Sequence, residues 1–187
     1  LKAAILSFPQ AGVPAELEAQ VRAMHAAEPT RREPVRPHDP ALRPMTMLLV
    51  SSGCVISALD TLAKDISHAA KRFAARGLGR VVTRVDARRM GHGRRLVMAA
   101  REAMAASAAD LGIFTAAAPL RPFYESCGWD VLAGCVLVGG TPQRPFPSDQ
   151  FDKLTFGAFF TAHARRHAHA FSHARVALRS GEIDRLW

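Results

Sequence analysis

The sequence has little aromatic surface. Only 7% of its 187 residues are Phe, Trp or Tyr, and Tyr124 is the single tyrosine. The rings are not interleaved with the arginines. That argues against a nucleic-acid-binding module, which needs stacking surfaces or a basic recognition helix. No apolar run reaches the ~18 residues of a membrane-spanning helix, so membrane insertion by a helix is not expected. Cysteine is scarce: Cys54, Cys127 and Cys135 are an odd number and match no zinc-ligand spacing. They read as reduced thiols of a cytoplasmic protein. Acidic residues number 16 against 25 Lys and Arg, a formal net charge of +9. The excess favours an anionic partner without choosing among nucleic acid, a membrane surface and a phosphorylated cofactor. A hydrophobic fraction of 49% with 22% charged residues is that of an ordinary folded chain.

Length and pattern predict a single domain over 1–187 of mixed α+β class. A helix is expected from Pro14 to about Ala27, with Leu17, Val21 and Met24 on one face. Residues 29–44 are rich in Pro and Arg and read as an exposed, extended loop. Met45–Val50 and Val55–Leu62 form a hairpin about Ser51-Ser52-Gly53. Asp65–Arg76 fits either a helix or a continued strand with a second turn at Gly77–Gly79. Arg80–Thr83 reads as a buried strand, Arg94–Ser107 as a helix and Leu111–Thr115 as a strand. Pro122–Cys127 is a short helix stopped by Gly128. Val131–Val138 and Leu154–Thr161 are two more strands. Residues 162–187 form a C-terminal extension, with 162–178 expected to be helical.

The stretch Arg80-Val-Val-Thr-Arg-Val-Asp-Ala-Arg-Arg-Met-Gly-His-Gly-Arg-Arg-Leu-Val97 is the most informative. A strand runs into a turn containing Gly91 and Gly93, and a helix follows. The first N–H groups of a helix have no internal partner, and its dipole is positive at that end. Glycines let backbone approach a ligand. Arg88, Arg89, Arg94 and Arg95 add charge. The combination suits a phosphate or pyrophosphate. No Gly-Lys-Ser/Thr follows, so this is not a Walker loop, nor is the full Rossmann pattern present.

Arg88-x-x-Gly91-x-Gly93 resembles the acetyl-CoA pyrophosphate loop of the GNAT superfamily of N-acetyltransferases. Pro122-Phe-Tyr-Glu-Ser-Cys-Gly-Trp129 resembles that family's second aromatic segment, in the right order and over a core from about Met45 to Val138. The resemblance implies a central mixed, mainly antiparallel sheet flanked by helices. Two parallel strands, Arg80–Thr83 and Leu111–Thr115, would open as a V. It implies acetyl-CoA as cofactor, with Val81, Val82 and Thr83 along its arm. Backbone of Arg88, Arg89, Met90, Gly91, His92, Gly93 and Arg94 would surround its pyrophosphate. The activity implied is direct acetyl transfer to a primary amine, on a small molecule or a peptide, with Tyr124 as the acid for the departing thiolate.

The base is open. Arg80–Thr83 carries no carboxylate, a departure from the family pattern, and Ala117 stands where many members have Asn. Asp60, Asp65 and Asp86 are nearest in sequence, and each reads as a surface or turn carboxylate. These departures leave a non-catalytic acyl-CoA-binding sensor or scaffold as the alternative. The ending Gly181-Glu-Ile-Asp-Arg-Leu-Trp187 resembles that of aminoglycoside 2'-N-acetyltransferases, which implies Asp184 and the Trp187 carboxylate as substrate contacts. His163/His167 and His169/His173 are spaced i, i+4, but no Asp, Glu or Cys joins them, so a polar helix face is expected rather than a metal site. A homodimer is compatible with a small α/β protein.

Overall fold

Apolar runs in the first half of the chain form three antiparallel strands, and this meander carries the structure. The computed structural model describes residues 3–29 and 35–187. The strands are β1 (Ala4–Pro9), β2 (Met45–Ser51), β3 (Cys54–His68), β4 (Lys71–Thr83), β5 (Leu111–Ala117), β6 (Asp130–Val131), β7 (Val136–Gly140), β8 (Pro145–Pro147), β9 (Lys153–Phe159) and β10 (Arg175–Ala177). The helices are α1 (Ala15–Ala26), α2 (His92–Ala106), α3 (Arg121–Ser126) and α4 (Ala162–Arg166). Seven strands form one sheet in the order β1-β2-β3-β4-β5-β9-β6, and β10-β7-β8 form a second, smaller sheet. Within the larger sheet only β4 and β5 run parallel, so the expected α+β class with a mainly antiparallel sheet is observed. Among the described residues no helix is long and apolar enough to cross a membrane.

Three apolar clusters follow from this order. The first holds Leu96, Val97 and Ala100 of α2 with Phe114, Tyr124, Trp129 and Phe156. The second packs Phe73, Leu111 and Ile113 against Leu137, Phe171 and Val176 around the smaller sheet. The third sets α1, through Met24, Leu17 and Val21, on Leu48, Ala58 and Val82.

The structure differs from the sequence expectation in five places. β1 is an edge strand with mixed burial, so its short apolar alternation gives little signal. The segment 65–76 is strand on either side of a turn at Ala69-Ala70, both with positive φ (47° and 59°), and no turn lies at Gly77–Gly79. Those glycines lie inside β4 because Trp187 packs on them; a Cβ at Gly77 would sit 2.4 Å from its ring. Val131–Val138 is broken by a turn into β6 and β7. In the extension only Ala162–Arg166 is α-helical, because Phe171, Val176 and Leu178 are all fully buried at spacings one helix face cannot supply. β10 instead pairs in parallel with β7.

The expected exposed loop 29–44 is also corrected over its described part. His38 and Leu42 are buried, and Asp39 caps a 3-10 turn at Pro40–Leu42 by accepting from Ala41 N–H at 2.9 Å. Residues 30–34 lie outside the described residues.

Candidate active site

β4 organises two features. On one side, its pairing with β5 covers only Ala75↔Leu111 and Arg76↔Gly112. Beyond Arg76 the two strands pair no further, while β5 stays paired with β9 along its whole length. The parallel pair therefore splays, as expected, between the end of β4 and Ile113–Ala117.

At the far end of β4 the chain turns through a short 3-10 segment, Val85–Ala87, into α2. Gly91 caps that helix with φ 82°, a left-handed conformation that glycine adopts without strain. The first helical bond is Arg95 N–H to Gly91 O at 2.9 Å. The N–H groups of His92, Gly93 and Arg94 thus precede the helix's own bonding and lie at its positive end. Gly93 brings the helix against β4; a Cβ there would lie 2.9 Å from Thr83 Oγ1 and 3.8 Å from Phe123. Larger side chains would fill that approach.

Three of the four arginines of this turn are engaged elsewhere. Arg88 donates to Thr83 O at 3.1 Å and pairs with Glu28, Arg94 donates to Ser126 O at 3.2 Å, and Arg95 donates to Ala3 O at 2.9 Å. The anion-binding capacity rests on backbone more than on guanidinium groups.

Tyr124 sits on α3, next to the Phe123 that touches the start of α2. It is 6% exposed, edge-on to Phe114 and Phe123 and tilted against Phe156. Burial, and then the Cys127 thiol, push its hydroxyl well above the ordinary tyrosine value. Gly128, with φ 83°, ends α3, and Trp129 is packed beneath Gly112.

The second feature is a cleft of about 420 Å³ roofed by α1 and floored by strands. Its floor is Thr46 on β2, Asp60 on β3 and Arg80 on β4. Behind them lie His38 and Asp184. His38 Nε2 donates to Asp60 Oδ2 at 3.0 Å and His38 Nδ1 donates to Asp184 Oδ1 at 2.5 Å. Thr46 Oγ1 donates to Asp60 Oδ1 at 2.6 Å, and Asp39 N–H donates to Asp184 Oδ2 at 2.9 Å. Arg80 lies 4.0 Å from Asp60 Oδ2 and 3.7 Å from Asp184 Oδ1. An imidazole that donates through both nitrogens to carboxylates is an imidazolium. The quartet is therefore two cations and two anions.

The electrostatics agree with that state. Burial works against charge on His38, but its hydrogen bonds to Asp184 and Asp60 outweigh burial and hold its pKa above the ordinary histidine value. Burial alone would raise the Asp184 carboxyl. The His38 and Asp39 hydrogen bonds, with the charges of His38 and Arg80, instead hold it below the ordinary value.

Arg80 has φ 52°, in the left-handed region, within a β-bulge. The register between β3 and β4 passes from Asp60↔Gly79 to Ala58↔Val82, so β4 has one residue in excess. In consequence Leu78 packs with the α2 cluster, whereas Val82 packs with α1.

The sequence reading missed His38, Thr46 and Arg80. It placed Asp60 among surface or turn carboxylates, whereas Asp60 is buried, at 9% exposure. Asp65 and Asp86 are exposed and pair with Arg72 and Arg84. Asp184 lies behind the cleft floor, and Trp187 packs on Gly77 and Gly79. The tail histidines do not share one helix. His163 and His167 stand 4.9 Å apart beside Phe73, and their ring nitrogens face the carbonyls of Arg72 and His163. His169 and His173 lie beyond α4.

The family model of the acetyltransferase (GNAT) domain matches residues 11–132, well over half of the chain. The chain belongs to the GNAT acetyltransferase family. Members of this family use acetyl-CoA, and family membership supports acyl-CoA-dependent acetyl transfer as the class of activity. Solved structures share the fold. A GNAT family N-acetyltransferase from Escherichia coli, in complex with CoA, superposes with a TM-score of 0.65 at 14% identity, over 95% of this chain and 89% of that one. An acyl-CoA N-acyltransferase from Pseudomonas aeruginosa gives 0.56 at 16% identity, over 83% and 99%. The Escherichia coli ribosomal-protein-S18-alanine N-acetyltransferase gives 0.52 at 13%, over 86% and 95%. A search of curated proteins found no match. The residues present fit the GNAT cofactor: the α2 start offers unbonded N–H groups, Gly91 leaves open space beside them, and the strands part nearby.

Proposed function

We propose that this chain is an acetyl-CoA-dependent N-acetyltransferase that acetylates a primary amine by direct attack in a ternary complex, in the reducing cytoplasm. The observation that carries this is the double use of β4. Its end borders the splayed gap and the open start of α2, and its bulge forms the floor of the cleft beneath α1.

Acetyl-CoA supplies an acetyl thioester, and its thiolate is the leaving group. The edge of Val81, Val82 and Thr83 is suited to pair with an extended arm as an added strand. The backbone N–H groups from Arg89 to Arg94 are suited to a pyrophosphate. A backbone N–H near Val82 polarises the reacting carbonyl. Asp60, the carboxylate on the cleft floor, holds the acceptor ammonium and receives its proton, so that the amine attacks in its neutral form. Tyr124 stays protonated at neutral pH because it is buried, and its hydroxyl would give a proton to the departing thiolate and be restored by the second proton that the acylated nitrogen sheds. Asp184 acts from behind the floor, through His38. A polycationic amino sugar is a poor fit, since Arg22 and Arg36 also line the cleft.

The test is thermal. Acetyl-CoA is expected to raise the melting temperature of the wild-type protein, and Gly93→Leu is expected to remove that shift. Tyr124→Phe is expected to slow turnover by about 10²-fold or more while keeping the shift. Absence of any acetyl-CoA effect on the wild type overturns the reading. A normal rate for Tyr124→Phe overturns the acid assignment alone.

A further inference from the structure

The cleft floor has a polarity that the acetyltransferase reading does not require. Two of the quartet's four charges face the cleft, and the other two face away from it. The side chains of Asp60 and Arg80 are 12% and 17% exposed and line the cleft, whereas those of His38 and Asp184 are 2% and 3% exposed and do not. The floor therefore presents one anion and one cation, 4.0 Å apart, to whatever enters. Each has a buried opposite charge near it, His38 against Asp60 and Asp184 against Arg80. These hold the surface pair in place and leave it electrically balanced when the cleft is empty.

Such a floor is costly to build. Ion pairs removed from water contribute little net stability against an apolar core of the same volume. Arg80 also takes a left-handed backbone conformation, φ 52°, that a non-glycine residue adopts only at a cost. Strain of this kind persists where the surrounding structure enforces it, and it clusters at ligand sites. Here the bulge turns the guanidinium to the same face as Asp60.

The matching ligand is dipolar. A lone ammonium would be attracted by Asp60 and Glu18 but repelled by Arg80, Arg22 and Arg36; a lone carboxylate would be attracted by the three arginines but would leave Asp60 facing it without a partner from the ligand. A molecule carrying both, a few bonds apart, satisfies both members of the floor at once. The volume falls within the about 300–1,000 Å³ range of small-molecule sites.

We propose that the acceptor is a free amino acid or a close analogue, its ammonium held by Asp60 and its carboxylate by Arg80. This rests on the acetyltransferase reading for the fate of the amine, but the binding site stands on the cleft alone.

The experiment uses three matched sets of probes: the L-amino acids, their α-amides and the corresponding decarboxylated amines. Binding is measured by calorimetry without acetyl-CoA, and turnover by release of the CoA thiol. At least one amino acid is expected to bind and react about ten-fold or more better than its own amide and amine. Arg80→Gln is expected to bring that ratio close to one, mainly through KM, and Arg80→Lys to leave it intermediate. Amides or amines that serve as well as the acids overturn the proposal, as does an Arg80→Gln variant that keeps the full ratio. The wild-type panel decides the matter even if the variants fail to fold. Selective amino-acid binding without turnover would sink the acetyltransferase reading and leave this one standing; acetyl-CoA-dependent turnover of amines alone would do the reverse.

Discussion

The two ends of the site are built from different materials. The start of α2 is a candidate site made of backbone. Its donors are N–H groups from consecutive residues, and the side chains that matter most there are the ones glycine lacks. The cleft floor is a side-chain site. His38, Thr46, Asp60, Arg80 and Asp184 come from a loop, three strands and the last turn of the chain. A backbone site needs local geometry alone. A side-chain site of this kind exists only after the sheet, the loop and the tail have all assembled.

That contrast sets out how each part should respond to change. The largest effect is expected for Asp184→Ala. It leaves His38 and Arg80 without their buried partner, and removing one member of such a pair costs about 3–5 kcal/mol. Chemical denaturation should show the loss; a change below about 1 kcal/mol would mean that the quartet is not holding the tail to the sheet.

A smaller effect is expected from pH. The His38 pKa is raised above its unfolded value of 6.5, so its contribution is complete below about that pH and fades as pH rises through the folded value. Asp184 is shifted the other way, below 3.8. Its contribution is complete above that value and fades as pH falls through the depressed one. Among the described residues, the charged groups facing His38 are Asp60, Asp184 and Arg80, all part of the quartet. Melting temperature should therefore decline on the alkaline side, and His38→Gln should flatten that limb. An unchanged limb in the variant would assign the decline to other groups.

The smallest effect belongs to the backbone site. Gly91→Ala meets open space but must take φ near 82°, so stability should fall by only about 1–2 kcal/mol. A loss as large as that of Asp184→Ala would erase the distinction between the two sites.

The same contrast explains what was legible in the sequence. The Gly91 and Gly93 turn could be read because its residues are adjacent and its physics is local. Tyr124, Gly128 and Trp129 were readable for the same reason. His38 could not be read, because Pro37 and Pro40 around it signal an exposed loop and its partners lie 22 and 146 residues away. Asp60 looked like any other carboxylate until Thr46 and His38 were placed beside it. The tail failed differently: its Ala-rich composition favours helix, but burial of Phe171, Val176 and Leu178 requires extended chain there. Gly77 and Gly79 read as a turn because nothing local reveals that Trp187 needs the space.

The extra residue in β4 has a further consequence. Strand faces alternate with a period of two, so every side chain after the bulge points opposite to where a plain count from Leu78 would put it. Losing one amino acid at Arg80 would remove the bulge without turning the strand over: Val82 would then stand three positions after Leu78, and plain alternation keeps it on the opposite face, beneath α1. The bulge is thus a way of adding a floor residue to β4 while the rest of the strand keeps its faces. Deleting Arg80 should cost the cleft floor its cation and leave the packing of Val82 beneath α1 in place.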